Sequence, residues 1–311
     1  MSFTWFASSY DTDDIPYRLL TFVQMTGALI IASGVYAVFA KQDLTITVLG
    51  YVIMRVAGVA QWMRAAQADP EHRPAALRYA LGTILCQTAW VTLLFLPKEV
   101  HFPGFIVLVV VELLVPVWAE RASPTTWHEH HIRERYGLFT IIVLGEVILS
   151  TSAAIQSASD EGFMNGGLIS IIIGGLLIVY AMWWLYFYQP VPHNLSSSLR
   201  VAFIWSYGHW VIFAASAAVG AGLAVVIDQL THHAEISAAG AGMVVALPTA
   251  IYILSLWVLQ EHMREKNWFD TLLNPVTAVL ILLTPFVGNA VLLIGILLVI
   301  LVVIRLVRHL E

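Results

Sequence analysis

Residues 44–66 read LTITVLGYVIMRVAGVAQWMRAA, an apolar run with Arg55 in its middle and its next charge at Arg64. About 20 apolar residues cross about 30 Å of hydrocarbon as a helix, so this run is long enough to span a membrane. Arg55 then lies about 16 Å along the axis from either end, too far for its side chain to snorkel comfortably to the surface. It must find a partner or water inside the layer.

Working outward from this run, similar stretches recur along the 311-residue chain at 18–40, 76–96, 104–119, 136–157, 167–189, 200–228, 238–260, 271–288 and 290–308. Hydrophobic residues make up 59% of the chain and charged ones 11%, with mean hydropathy +0.81, against about 25% charged in soluble domains. A water-soluble globule is excluded. The reading is an all-α, polytopic transmembrane helical bundle of about ten spans, a single integral membrane domain over 1–311. The single cysteine, Cys86, excludes an intramolecular disulfide framework and any thiolate metal cluster. A net charge of −5 carries no basic footprint for nucleic acid. The chain has no P-loop lysine, no nucleotide-binding glycine unit and no nucleophile elbow, so an ATP-driven motor within it is excluded too. No cofactor is called for, and membrane lipid is the expected partner.

The loops orient the spans. With residues 1–17 on the cytoplasmic side, Arg18, Arg64, Arg73, Arg78, Arg121, Arg133, Arg135, Arg200, Arg264, Lys266, Arg305 and Arg308 all fall inside, and only Lys41 and Lys98 fall outside. That asymmetry is the positive-inside pattern and places both ends of the chain in the cytoplasm. Asp11, Asp13 and Asp14 stand where a signal peptide would carry its basic and apolar regions. Phe3, Trp5, Phe6 and Tyr10 resemble the aromatic belt at the end of a helix, as if the chain opened in the middle of a protein.

A shift of 182 residues brings Arg18 onto Arg200, and the aromatic pair before Arg18 onto the Trp183–Tyr188 segment before Arg200. Extended along the chain, it implies two parallel six-helix halves lacking their first two helices, with a half-repeat boundary near 125–135. Parallel repeats are common among transporters.

Ionisable groups near the bilayer centre are costly and are functional candidates by default. Besides Arg55 they are Glu112, in the middle of span 104–119, Glu146, in the middle of 136–157, and His209, in 200–228. Either glutamate could pair with Arg55 as a structural lock. The other is then left to carry a proton or a cation. His209 fits either a packed core histidine or a proton relay. Pro116 removes the backbone bond to the Glu112 carbonyl four residues earlier, which would set a freed oxygen beside that carboxylate. The polar stretch from Trp127 to Arg135, with His128, His130 and His131, lacks an established zinc spacing and reads as a solvated cytoplasmic loop; no metal site is expected.

The segment His131-Ile132-Arg133-Glu134-Arg135-Tyr136-Gly137-Leu138-Phe139-Thr140-Ile141-Ile142-Val143-Leu144-Gly145-Glu146 resembles the bacterial low temperature requirement protein A (LtrA) family. Tyr10 to Asp14, Val48 to Arg55, Glu112 to Arg121, Trp183 to Phe187 and Tyr207-Gly208-His209 are similar to it as well. The resemblance implies a multi-helix protein of the bacterial cytoplasmic membrane whose biochemical activity is poorly defined. It places Arg55, Glu112, Glu146 and His209 in family blocks, and His131, Glu134 and Arg135 in a cytoplasmic motif, without assigning any of them a role. Family members usually open with an acidic helix and a second, Trp-rich helix that this sequence lacks, so a shortened form, a late start codon or a variant is expected.

Three functions remain open on these residues. The leading one is a transporter or channel-like protein moving protons or a small solute through a midplane polar site formed by Arg55, Glu112, Glu146 and His209. The second is an intramembrane enzyme acting on a lipid or quinone-like molecule, and the third a structural or sensory membrane protein.

Overall fold

Each apolar run folds as a helix wherever the computed structural model describes it, which is over residues 2–188, 198–261 and 268–310. Arg264 and Lys266, two of the basic residues assigned to the cytoplasmic side, lie outside the described residues. A short α1 (Ser2–Tyr10) precedes α2 (Ile15–Lys41), α3 (Thr45–Ala68), α4 (Arg73–Leu93) and α5 (Lys98–Glu120). Then come α6 (Glu129–Asp160), α7 (Gly166–Phe187), α8 (Leu199–Leu230), α9 (Ala238–Leu256), α10 (Trp268–Leu283) and α11 (Ala290–Leu310). No strand occurs among the described residues. Eight helices are long and apolar enough to cross a membrane: α2, α3, α5, α6, α7, α8, α9 and α11. Polar Thr83, Gln87 and Thr88 dilute α4, and α10 is short because it tightens into a 3₁₀ turn at Thr284–Phe286.

The chain divides into two compact units, Met1–His128 and Glu129–Glu311. In the first, α2 packs on α3, α3 on α4 and α4 on α5 in chain order. Asp14 starts α2 by accepting the Tyr17 N–H at 2.8 Å, which satisfies one of the donors that a helix N-terminus leaves open. Glycine lets α2 and α3 touch backbone to backbone. A Cβ on Gly27 would stand 2.6 Å from the Gly50 carbonyl oxygen, and one on Gly50 2.6 Å from the Ile31 nitrogen. Close approach of this kind is how helices associate where lipid supplies no hydrophobic drive.

Aromatic contacts fix the register of α3 against α4. The Trp62 ring stacks on Tyr79 with centroids 4.0 Å apart, and Tyr51 meets Trp90 edge-on at 6.1 Å. The two contacts are equally far apart on both helices, which therefore run antiparallel and in step.

In the second unit α6 packs on α7 and α8, α7 on α11, α8 on α9, and α9 on α10 and α11. A Cβ on Gly174 would lie 2.6 Å from the Val291–Leu292 backbone, so α7 and α11 are also in backbone contact. Gly288 (φ 95°) and Asn289 (φ 48°) are successive left-handed residues that reverse the chain between the 3₁₀ turn and α11. Glycine and asparagine tolerate that conformation best.

One element differs from the expectation drawn from sequence. The polar stretch read as a loop is helical from Glu129 onward, so His131, Glu134 and Arg135 lie on the first turns of α6. Glu129 in the first turn complements the helix dipole, and Ile132, fully buried, anchors the turn to the core. At 32 residues α6 is about 48 Å long, more than the hydrocarbon alone requires.

Candidate functional site

In the first unit, α3 and α5 bring Arg55 and Glu112 into a direct ion pair whose side chains are 19% and 15% exposed. Tyr51, one turn before Arg55 and hence on the same face of α3, joins them. Its hydroxyl donates to Glu112 Oε1 and accepts from Arg55 Nη2 at 2.8 Å. From α4, the Trp90 indole N–H donates to Glu112 Oε2 at 3.1 Å. The guanidinium reaches further, to Ser2 Oγ at 2.8 Å, and its carbon lies 5.0 Å from the Tyr51 ring centroid. The Glu112 carboxylate therefore receives three donors from two helices. Charge-assisted bonds of this sort are the stronger ones, and here they tie α3, α4 and α5 to one another. The helix continues through Pro116.

In the second unit, His209 on α8 is 3% exposed. Its Nδ1 lies 2.7 Å from the Trp205 carbonyl oxygen, which can only accept, so Nδ1 carries a hydrogen. Nε2 is left to accept the Tyr186 hydroxyl of α7 at 3.1 Å. The Thr140 hydroxyl on α6 is a further hydrogen-bond neighbour of Tyr186, and Tyr136 bonds Ser206. Tyr136 meets the imidazole edge-on at 5.0 Å and Trp205 lies 4.1 Å from it. An aromatic cage thus surrounds a chain of hydroxyls and one imidazole contributed by α6, α7 and α8.

Glu146 is placed quite differently. The buried stripe of α6 runs through Tyr136, Thr140, Leu144, Val147 and Thr151. Glu146 is exposed, in line with Phe139, Ile142 and Leu149, which are 47%, 64% and 65% exposed. Its side chain makes no hydrogen bond or ion pair among the described residues, and a Cβ added at neighbouring Gly145 would meet nothing within 4 Å. Of the four midspan residues, the structure thus joins Arg55 to Glu112, cages His209 and leaves Glu146 alone on an apolar face. Among the described residues no group of His, Cys, Asp and Glu is arranged to hold a metal ion.

Several participants escaped the sequence reading. Tyr51 could have been found from its one-turn spacing to Arg55; Trp90 and Ser2 carried no such signal. Outside the spans, Glu120 is 6% exposed and accepts from Tyr79 Oη at 2.8 Å and from Thr125 N and Oγ1 at 2.8 and 2.9 Å, closing the turn after α5. Asp69 accepts the His72 N–H at 3.2 Å, His72 Nδ1 at 2.8 Å and the Tyr10 hydroxyl at 3.2 Å. Burial pushes the Asp69 carboxyl up, but these bonds outweigh it and hold the group below its ordinary range. The Tyr10 hydroxyl is pushed up by burial and by the carboxylates of Asp69 and Glu120.

Comparison with known proteins gives a specific result. Residues 1–307 match the model of the family described as bacterial low temperature requirement A protein. An uncharacterised protein of Rhizobium meliloti (strain 1021) is 26% identical over 222 residues, which cover 66% of this chain and 53% of that protein. The matched part of the chain thus spans about half the length of that relative. No solved structure matches.

Proposed function

Since the chain belongs to the bacterial low temperature requirement A family, we propose on that premise that it is a transporter or channel-like protein that moves protons or a small cation. The reading is carried by the contrast between the two midspan glutamates. Glu112 is saturated by Arg55, Tyr51 and Trp90. Glu146, in the middle of an apolar helix, has no partner among the described residues. A bare carboxylate in hydrocarbon costs about 2.5 kcal/mol or more, and that cost is relieved when it holds a proton or a cation. Uptake from one side and release to the other is transport.

His209 and Tyr186 are suited to pass a proton, because an acceptor nitrogen faces a hydroxyl donor inside a water-poor cage. To the Arg55–Glu112 assembly we assign a different part. Complete pairing of its carboxylate favours a lock that sets helix register rather than an exchanging group. The protein sits in the bacterial cytoplasmic membrane with both ends of this chain in the cytoplasm, as the basic residues of its loops argue.

The test is flux of the purified protein in proteoliposomes under an imposed proton gradient, and separately under sodium or potassium gradients. Flux above that of protein-free vesicles for at least one of these ions is the expected result. Background traces for all of them, with protein incorporated and folded, would overturn the reading.

A further inference from the structure

The strongest unexplained feature of the first unit is a set of buried polar atoms that meet no partner. Gln87 on α4 is 8% exposed, yet neither its Nε2 nor its Oε1 has a hydrogen-bond partner among the described residues. Arg55 Nε is likewise buried and unpartnered, although the rest of its guanidinium is engaged. Native interiors leave few such atoms dry, and a buried amide with four empty hydrogen-bonding positions demands an explanation.

The register of α3 and α4 places these atoms together. Gln87 shares the face of α4 that carries Ala80, packed with Trp62, and Trp90, packed with Val48 and Tyr51, so it faces α3. Gln87 lies three residues before Trp90, and Met54 three after Tyr51, which sets the Gln87 amide level with Met54 and Arg55. One turn further along, Gly58 stands level with Thr83, and a Cβ added at Gly58 would meet nothing within 4 Å. Open space and unmet polar atoms therefore occupy the same interhelical seam.

The chemistry of the occupant follows from the unmet groups. Glu112 already neutralises Arg55, so the seam has no charge to offer. The mutually neutralised pair leaves no net charge to hold an ion of either sign. What remains is two kinds of N–H donor and one carbonyl acceptor, which suit a small neutral molecule that both gives and takes hydrogen bonds. Water is the smallest such molecule and needs only room for itself and two to four polar partners. We propose that the seam between α3 and α4 is a hydrated site, with room beside Gly58 and Thr83, in which water bridges Arg55 Nε and the Gln87 amide. This goes beyond the transport reading, which rests on Glu146 in the other unit. A chain that moved no ion would still hydrate this seam.

Cysteine labelling of the full-length protein in proteoliposomes tests it. In a Cys86→Ala background, Gln87→Cys is compared with Leu85→Cys, which replaces a side chain of similar depth that is 60% exposed on the outer face. The thiolate is the reacting species and forms only where water reaches it. A small neutral methanethiosulfonate, which reaches both positions, should therefore modify Gln87→Cys at least about tenfold faster than Leu85→Cys. Equal, negligible rates would overturn the proposal. Should Gln87→Cys fail to fold, Thr83→Cys takes its place in the comparison. Gln87→Leu supplies an independent measurement. In a dry seam it removes an orphaned amide and raises the melting temperature, which would contradict the proposal; in a hydrated seam the melting temperature falls or holds.

Discussion

Tyr51 and Arg55 stand one turn apart on α3 and both donate to the same oxygen of Glu112, while the Tyr51 hydroxyl also accepts from the Arg55 guanidinium. The three groups close a triangle in which each member holds the other two. Trp90 fixes the remaining carboxylate oxygen from α4. An assembly so completely paired is expected to respond to mutation as a unit.

Removing one charge should cost far more than removing both. Arg55→Met or Glu112→Leu alone leaves the other group buried without its counter-ion, and either is expected to destabilise by about 3 kcal/mol. The double variant should recover most of that loss. A double-mutant cycle on thermal unfolding in detergent measures the coupling. Additive single effects would mean that the two charges do not depend on each other.

Tyr51→Phe removes one hydroxyl and little volume. Because that hydroxyl serves two charged groups, the expected loss is about 1.5 kcal/mol or more, read as a lower melting temperature with the oligomeric state unchanged.

Glycine substitutions should divide sharply by position. Gly27→Ala and Gly174→Ala drive a methyl group into the backbone of the facing helix, and each should cost about 1–3 kcal/mol through overpacking. Gly58→Ala meets open space and should not destabilise, gaining up to about 1 kcal/mol from the better helix propensity of alanine.

Acid should weaken the end of the first unit where Asp69 gathers Tyr10 and His72. The folded carboxyl lies below its ordinary value of 3.8, so the unfolded chain binds the proton more readily. This contribution is therefore complete above that value and is lost as pH falls through the folded one. Melting temperature measured from pH 6 downward should show an acid-side decline that is shallower in Asp69→Asn, with that variant less stable at neutral pH. Parallel profiles for the two proteins would remove Asp69 from the account.

The helices were legible because spanning a membrane imposes a length and a composition that survive in the sequence. Which face of a helix is buried was far less legible, since lipid and protein core are equally apolar. The pattern of α6 does not distinguish the side of Leu144 from that of Leu149, and only packing reveals that Glu146 lies with the latter. The pairing of Arg55 with Glu112 rather than Glu146 depended on which helices are neighbours, which spacing along the chain does not encode. The start of α6 was missed because a run of histidines and charges resembles a loop until Ile132 is seen anchored in the core. The seam at Gln87 was invisible for a related reason. One glutamine among apolar residues is unremarkable until its neighbours fail to supply hydrogen bonds.

The exposure of Glu146 has a chemical consequence. An apolar carbodiimide, which partitions into lipid, should reach and modify exposed Glu146 and spare Glu112, whose oxygens are occupied by Arg55, Tyr51 and Trp90. Peptide mass spectrometry after labelling in proteoliposomes reads the site. Modification of Glu112 in preference would reverse the assignment of the two glutamates.

The most direct measurement is ion flux in proteoliposomes for the wild type, Glu146→Gln and Glu146→Asp at matched incorporation and confirmed folding. The account predicts that flux falls to background in Glu146→Gln, where the amide neither binds nor releases a proton, and returns in part in Glu146→Asp. Flux equal to wild type in Glu146→Gln would contradict it.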